Sequence, residues 1–349
     1  MLNTFRACVC ALLLTAALPA GADIVRDLYS ASVPMADQSE GSLTAGARKA
    51  LGEVLVKVSG SRSVLDNPQL APALEQARSY VQQYVYLRAG SRGEELQARF
   101  DFDPEWVKSQ ILAAGAPLWT ANRPRLLLWL VMEGPQGRYF VNRETSPESV
   151  EALRAAFGRR GVPLQFPLFD LNDAAAVSPD EVWRLDVAAL RSASMRYDAE
   201  HILGGRVAGP QEGRIAGDWA YLPPNDTLHR AITAEAFESF AGSGAALVAD
   251  EMAARFALAP TAAVEGGLVL WIDGVENYAD YAAVMGWLQR LELVESARVE
   301  RIVDDRLELR LRARADASQL ATLFALNQKL QPASERAPGV QLSYQWLSP

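Results

Sequence analysis

His201 and His229 are the only imidazoles in the chain. A zinc site or a histidine base needs partners at set spacing, such as H-x-x-x-H or H-E-x-x-H, and neither pattern occurs. His201 opens an apolar stretch and His229 opens another near Asp226, so both read as structural residues. Composition permits a Ser-His-Asp triad, but there is no G-x-S-x-G elbow, and the Gly-Ser-Gly at 242–244 lies where a helix is expected to begin. GGRVAG at 204–209 has the glycine content of a nucleotide loop. It lies within or between strands, however, and no phosphate-loop lysine follows it.

Carboxylates gather at Asp170, Asp173, Asp180 and Glu181, and again at Asp304 and Asp305. Glycosidase chemistry needs two carboxylates facing each other across a sugar. Turn and cap roles account for all six here. No catalytic, cofactor-binding or metal residue is assigned on this basis, and no cofactor is expected. One charged row remains as a possible interaction face: Arg306, Glu308, Arg310 and Arg312 alternate with leucines on a predicted strand. Of the eight tryptophans, Trp129, Trp271 and Trp346 lie in apolar strand contexts and are expected in the core. Trp106, Trp119, Trp183, Trp219 and Trp287 are the candidates for exposed contacts.

The elements that would hold these residues begin after a secretory signal. Arg6 supplies a positive start, residues 7–18 are apolar, Pro19 breaks the stretch, and Ala20-Gly21-Ala22 offers a small-residue cleavage site. Cleavage after Ala22 and a periplasmic location are the expectation. Cys8 and Cys10, the only cysteines, would leave with the signal, so the mature chain could form neither a disulfide nor a thiolate site. Net charge is −8 over the 349 residues, which argues against nonspecific binding to nucleic acid. Four lysines against thirty arginines read as genome composition bias. The most apolar later run, LLLWLVM at 126–132, is far shorter than the roughly 20 residues that span a membrane.

From 23 to 117 the pattern predicts a strand, a helix from Leu43 to Val58 closed by Gly60, a second helix over Leu70–Tyr84, and two strands (YVYLR and ELQARFDF) joined across AGSRG. A third helix follows, capped by Asp103 with Pro104 at its first position. From 118 to 260 it predicts a strand apolar on both faces (RPRLLLWLVME) and a helix from Pro147 capped by Ser146. One or two helices follow over 177–197, then three strands and a helix over 243–257. From 266 to 349 it predicts βαββαβ, the ferredoxin-like order. The stretch 259–267 reads as a linker, and a second boundary lies near 118–124.

Several segments together resemble an uncharacterised family of exported proteobacterial proteins, domain of unknown function 2066 (DUF2066). They are the helix ending in KVSG (Ala47–Gly60), YVQQYVY (Tyr80–Tyr86), the Phe100-Asp101 strand end, and the tryptophan-to-leucine segment containing Arg123-Pro124 (Trp119–Leu130). That resemblance implies an envelope location and no assigned activity. At fold level the first region looks like the N-terminal domain of T-ring-associated flagellar basal-body proteins. The middle region looks like the N-terminal domain of the Tol-Pal β-propeller protein and like outer-membrane activators of peptidoglycan synthases.

The expected protein is thus a multidomain α/β and α+β chain. It has a signal peptide (1–22), a small N-terminal α+β domain (23–117), a central α/β sandwich (118–260) and a C-terminal ferredoxin-like domain (266–349). Its expected role is that of a non-enzymatic periplasmic adapter, binding an envelope protein complex through the central domain or the groove between domains. The alternatives are a binder of a glycan or small ligand in an interdomain cleft, and a carboxylate-based hydrolase.

Overall fold

The computed structural model describes residues 23–89, 95–209, 214–259, 261, 266–327, 329–333 and 339–347. The expected signal segment, with Cys8, Cys10 and the cleavage point at Ala22, lies outside the described residues. So do 90–93 of the expected AGSRG turn, and 260 and 262–265 of the expected linker. Mixed α/β structure fills the rest.

The first region contains β1 (Asp23–Ile24), β2 (Ser30–Pro34), α1 (Glu40–Ser59), α2 (Ala71–Glu75), β3 (Val81–Ala89), β4 (Glu95–Phe102) and α3 (Pro104–Ala113). In α1 the apolar residues recur at helical spacing and Leu43, Ala47, Ala50, Leu51, Val54, Leu55 and Val58 are all buried. Ser39 caps its start, and Gly60 ends it in the left-handed region at φ 80°. The antiparallel sheet β2-β4-β3 packs its Val33, Ala98 and Phe100 into the same core. The second helix expected over 70–84 is broken and shorter: α2 is followed by a 3-10 turn over Ala77–Tyr80 and ends where β3 begins. Helix α2 stops at Glu75, and from Val81 the chain pairs with β4 across eight register positions. Tyr84, Val85 and Tyr86 favour strand, and the cross-strand pairing overrides the accidental helical spacing.

The central region contains β5 (Asn122–Arg123), β6 (Leu126–Gly134), β7 (Gly137–Phe140), α4 (Pro147–Arg160), β8 (Leu164–Gln165), α5 (Leu171–Ala176), α6 (Pro179–Trp183), α7 (Val187–Ser194), β9 (His201–Val207), β10 (Ile215–Leu222), β11 (Leu228–Ala234) and α8 (Phe237–Phe256). Strand β6 is central, as its two-faced apolar pattern predicts. Leu126, Leu128 and Leu130 point to the α4–α8 layer, and Leu127, Trp129 and Val131 to the layer holding Val182 and Leu190. Beyond β6 the sheet divides: β8 pairs in parallel with residues 126–127 and β7 antiparallel with residues 131–134. Three details differ from expectation. Ser146 stands before α4 without a side-chain capping bond. Helix α5 is an additional element. Helix α8 begins at Phe237, which puts Gly242-Ser243-Gly244 inside the helix instead of at its start.

The third region contains β12 (Leu268–Asp273), α9 (Tyr278–Gln289), β13 (Val294–Val303), β14 (Arg306–Ala313), α10 (Ala317–Phe324), β15 (Leu330–Pro332) and β16 (Leu342–Trp346). Its sheet order is β13-β14-β12-β16-β15. The expected single last strand is two: β15 takes the edge, and β16 returns antiparallel to it and parallel to β12.

A buried arginine ties the first region to the second. Trp119 N donates to Val58 O at 2.7 Å, and the chain then turns Arg123 inward to zero exposure. Arg123 Nη2 donates to Lys57 O at 2.7 Å and Trp119 O at 2.9 Å, Nη1 to Gly161 O at 2.8 Å and Arg160 O at 3.2 Å, and Nε to Thr120 O at 2.9 Å. Its guanidinium lies 3.7 Å from the Trp119 ring centre. Lys57 and Arg160 belong to the last turns of α1 and α4, where carbonyls lack intrahelical partners and the helix dipole is negative. Burial lowers the Arg123 pKa to about 9, so the side chain stays charged at neutral pH. Arg160 adds a second tie, from Nη2 to Gly60 O at 3.0 Å and to Asp250 at 2.7 Å. The first and third regions also share one continuous apolar core, in which Leu118, Leu258, Leu291 and Leu293 take part.

Candidate functional site

Where β7 and β8 part from β6, a cleft of about 660 Å³ opens. Its walls are Asn142–Glu144 after β7, Val150 and Arg154 of α4, Arg125, and the chain from Leu164 to Phe169. Three arginines face one carboxylate, Glu144, among its described lining residues. Arg154 lies over the Phe166 ring at 5.2 Å, and Arg125 Nη1 is 3.4 Å from Gln165 Oε1.

The segment leaving β8 is held rigidly. Phe169 has φ 55°, a left-handed conformation that an aromatic residue rarely adopts. Its ring packs on Phe140 at 5.4 Å and on Trp129 at 6.0 Å. Phe169 N donates to Asp173 Oδ2 at 2.7 Å, and Leu168 N donates to the Tyr197 hydroxyl at 2.9 Å. That hydroxyl donates in turn to Asp173 Oδ2 at 2.6 Å. Burial first, and the Asp173 hydrogen bond second, push the Tyr197 pKa up to about 12, which keeps the donor protonated. Arg196 spans Asp170 and Asp173 at 2.6 and 3.0 Å. Asp170 also caps α5.

This polar clamp leaves apolar side chains in water. Leu168 is 71% exposed, Leu171 89% and Met195 79%. Leu168 and Leu171 flank the clamped Asp170, and Met195 precedes the clamping Arg196. Large apolar groups fixed outward beside a cleft are the geometry of a docking surface.

The sequence candidates fall elsewhere or into structural roles. Asp170 and Asp173 do come together, but on Arg196, which holds the Asp170 carboxyl down at about 2. Asp180 pairs with Arg138, and Glu181 completes a capping box with Ser178. Asp304 and Asp305 form the β13–β14 turn, and Asp305 accepts a bond from Gly274 N. His201 is buried with Nδ1 2.6 Å from the Tyr221 hydroxyl, and His229 is exposed on β11. Gly204 and Gly205 of GGRVAG make room for Leu190 and Trp219: a Cβ at Gly205 would lie 2.4 Å from the Trp219 ring.

Arg306, Glu308, Arg310 and Arg312 do share the strand face opposite Leu307, Leu309 and Leu311, yet the row is neither uniformly exposed nor free. Glu308 is buried and takes a two-bond pair from Arg301. Arg310 makes the same pair with Glu300, and Arg306 bonds Asp273 while covering Trp271. Trp271 therefore lies half-buried on this face instead of in the core. Trp119 and Trp219, expected as exposed contacts, have zero exposure.

The residues missed by sequence reasoning are Leu168, Leu171, Met195, Arg143 and Arg154. A signal was present: FPLFDL places two leucines around an Asp-led helix start with no apolar repeat behind them.

Residues 22–120 match the model of a family described as a domain of unknown function (DUF8605). This corrects the resemblance to domain of unknown function 2066, since the matching family is a different one of unknown function. No curated protein matches the chain. Among the described residues no helix is long and apolar enough to cross a membrane, and no cluster of three potential metal ligands occurs.

Proposed function

We propose that the protein is a non-enzymatic accessory protein of the cell envelope, exported to the periplasm, that binds a partner protein at the Leu168–Leu171 corner of its central region. The observation that carries this reading is the set of three apolar side chains, 71–89% exposed, held outward by hydrogen bonds beside a 660 Å³ cleft. The partner surface that fits carries apolar anchors with acidic neighbours, because arginine dominates the cleft wall. A hydrolase reading lacks support in the carboxylates, since Asp170, Asp173, Asp180 and Glu181 are each committed to an arginine or a helix cap. The kinship of the central region to Tol-type N-terminal domains, and a ferredoxin-like origin for the third region with a strand added at its end, belong to the same proposal.

Site-specific photocrosslinking in intact cells tests it. A photoreactive residue at Leu168 or Leu171 should give one discrete adduct that the same residue at His229, exposed on the far edge of the sheet, does not give. Identical adducts from the corner and from His229 would sink the proposal.

A further inference from the structure

A second concavity, sharing no lining residue with the first, lies where the first and central regions meet. It is about 610 Å³ and is walled by α1, α4, α8 and the 3-10 turn Arg62–Asp66. Its lining is aliphatic: Val56, Leu65, Leu74, Ala156 and Ala246, with Leu65 left 42% exposed above it. Gly242 opens it further, for a Cβ there would meet no atom within 4 Å. Arg48, Lys49, Arg62 and Arg159 stand around it, and none of the four makes an ion pair or a side-chain hydrogen bond among the described residues. The one carboxylate in the lining, Glu53, has a buried Oε2 with no hydrogen-bond partner. The four cations are thus gathered around an acid they do not touch, and their charge remains available to a second anion.

We propose that this interdomain groove binds a single-chain anionic amphiphile, an acyl chain ending in a carboxylate, with the chain along the aliphatic floor and the head among Arg62, Arg159 and Lys49. The volume lies in the usual range for small-molecule sites, about 300–1,000 Å³. A nucleobase or a sugar would call for an aromatic platform to stack on, and the described lining has no aromatic side chain. The four cations supply the charge complement that distinguishes an acid from an alcohol of equal length. Burial raises the Glu53 pKa, so its carboxyl opposes a bound anion less than an ordinary carboxylate would. The site is independent of the partner surface.

Calorimetric titration of the purified protein with laurate, kept below its micelle concentration, tests the site, with dodecanol and inorganic phosphate as single-feature probes. Laurate is expected to bind at one site, at least tenfold tighter than dodecanol, and phosphate alone not to bind measurably. Ala246→Trp, which fills the floor, should abolish laurate binding. The exposed double substitution Arg62→Ala/Arg159→Ala, which leaves the core intact, should weaken it at least tenfold. Glu53→Gln should leave it equal or tighter, and Leu168→Asp should not change it. Equal affinity for laurate and dodecanol, or full laurate affinity in the Arg62/Arg159 double variant, would overturn the proposal whether or not Ala246→Trp folds. Identical crosslinked adducts from Leu168 and His229, with laurate binding retained, would overturn the partner reading alone.

Discussion

The Arg123 joint and the Leu168 corner use the same device to opposite ends. In both, a charged side chain gathers backbone and side-chain groups into a fixed geometry. At the joint the cation itself is buried, five carbonyls close around it, and helices α1 and α4 are locked end to end. At the corner the cation, Arg196, stays at the surface, and the clamp it forms with Asp170, Asp173 and Tyr197 fixes leucines outward. Satisfied polar groups therefore do not by themselves reveal whether a region serves stability or recognition. The burial of the apolar groups they position does.

The largest effect should come from the joint. Arg123→Met leaves carbonyls of two helix ends and of the Trp119–Thr120 turn without their donor, and should cost about 3–5 kcal/mol in chemical denaturation. A loss under about 1 kcal/mol would erase the contrast with the corner. Next comes Leu309→Ala, expected to cost about 2–5 kcal/mol because Leu309 has zero exposure in the core shared by the first and third regions. Its neighbour Arg310 pairs with Glu300 at the surface, so Arg310→Ala should cost under about 0.5 kcal/mol. Equal costs for the two would contradict the alternation along β14.

A pH measurement sharpens the contrast between a buried cation and a buried neutral base. His201 is 3% exposed, and burial, with Arg255 adding repulsion, lowers its pKa to about 4. The unfolded chain takes up a proton near pH 6.5 while the folded chain does so only near 4. The unfolded state thus binds more protons between these values. Stability is complete above about pH 6.5 and falls as pH drops toward 4, by at most about 3 kcal/mol from this group. His201→Gln should flatten the denaturation midpoint across that window relative to wild type. Parallel slopes for the two proteins would mean that His201 titrates normally.

Much of the architecture was legible because burial writes itself into periodicity. The two-faced run Leu126–Val131 and the alternation of Leu307, Leu309 and Leu311 with charged residues correspond to the strands seen, and the spacing from Leu43 to Val58 to helix α1. The YVYLR strand was read correctly, but the start of β3 was assigned to the preceding helix because Val81 and Tyr84 continue its spacing by accident; pairing with β4 decides otherwise. The glycines of GGRVAG and of Gly242-Ser243-Gly244 carried a signal of the wrong kind. The first had the glycine content of a nucleotide loop within a strand context and the second suggested a helix start, whereas Gly205 and Gly244 clear the space in which the Trp219 ring is buried. That complementarity joins residues of β9, β10 and α8, and no spacing rule along the chain encodes it. The corner proposed for docking was hidden for a related reason. Leu168 and Leu171 look like ordinary core residues, and only the three-dimensional positions of Tyr197 and Arg196 show that they face water.

The smallest expected change in stability carries the most direct test. The double substitution Leu168→Asp/Leu171→Asp exchanges two exposed side chains, so the denaturation midpoint should stay within about 0.5 kcal/mol of wild type. Quantitative co-purification after crosslinking in intact cells, with the bait detected through a tag, should then show the partner recovered with wild type and lost with the double variant. Recovery of the same partner in equal amount with the double variant, folded and exported like wild type, would contradict the assignment of the corner as the docking surface.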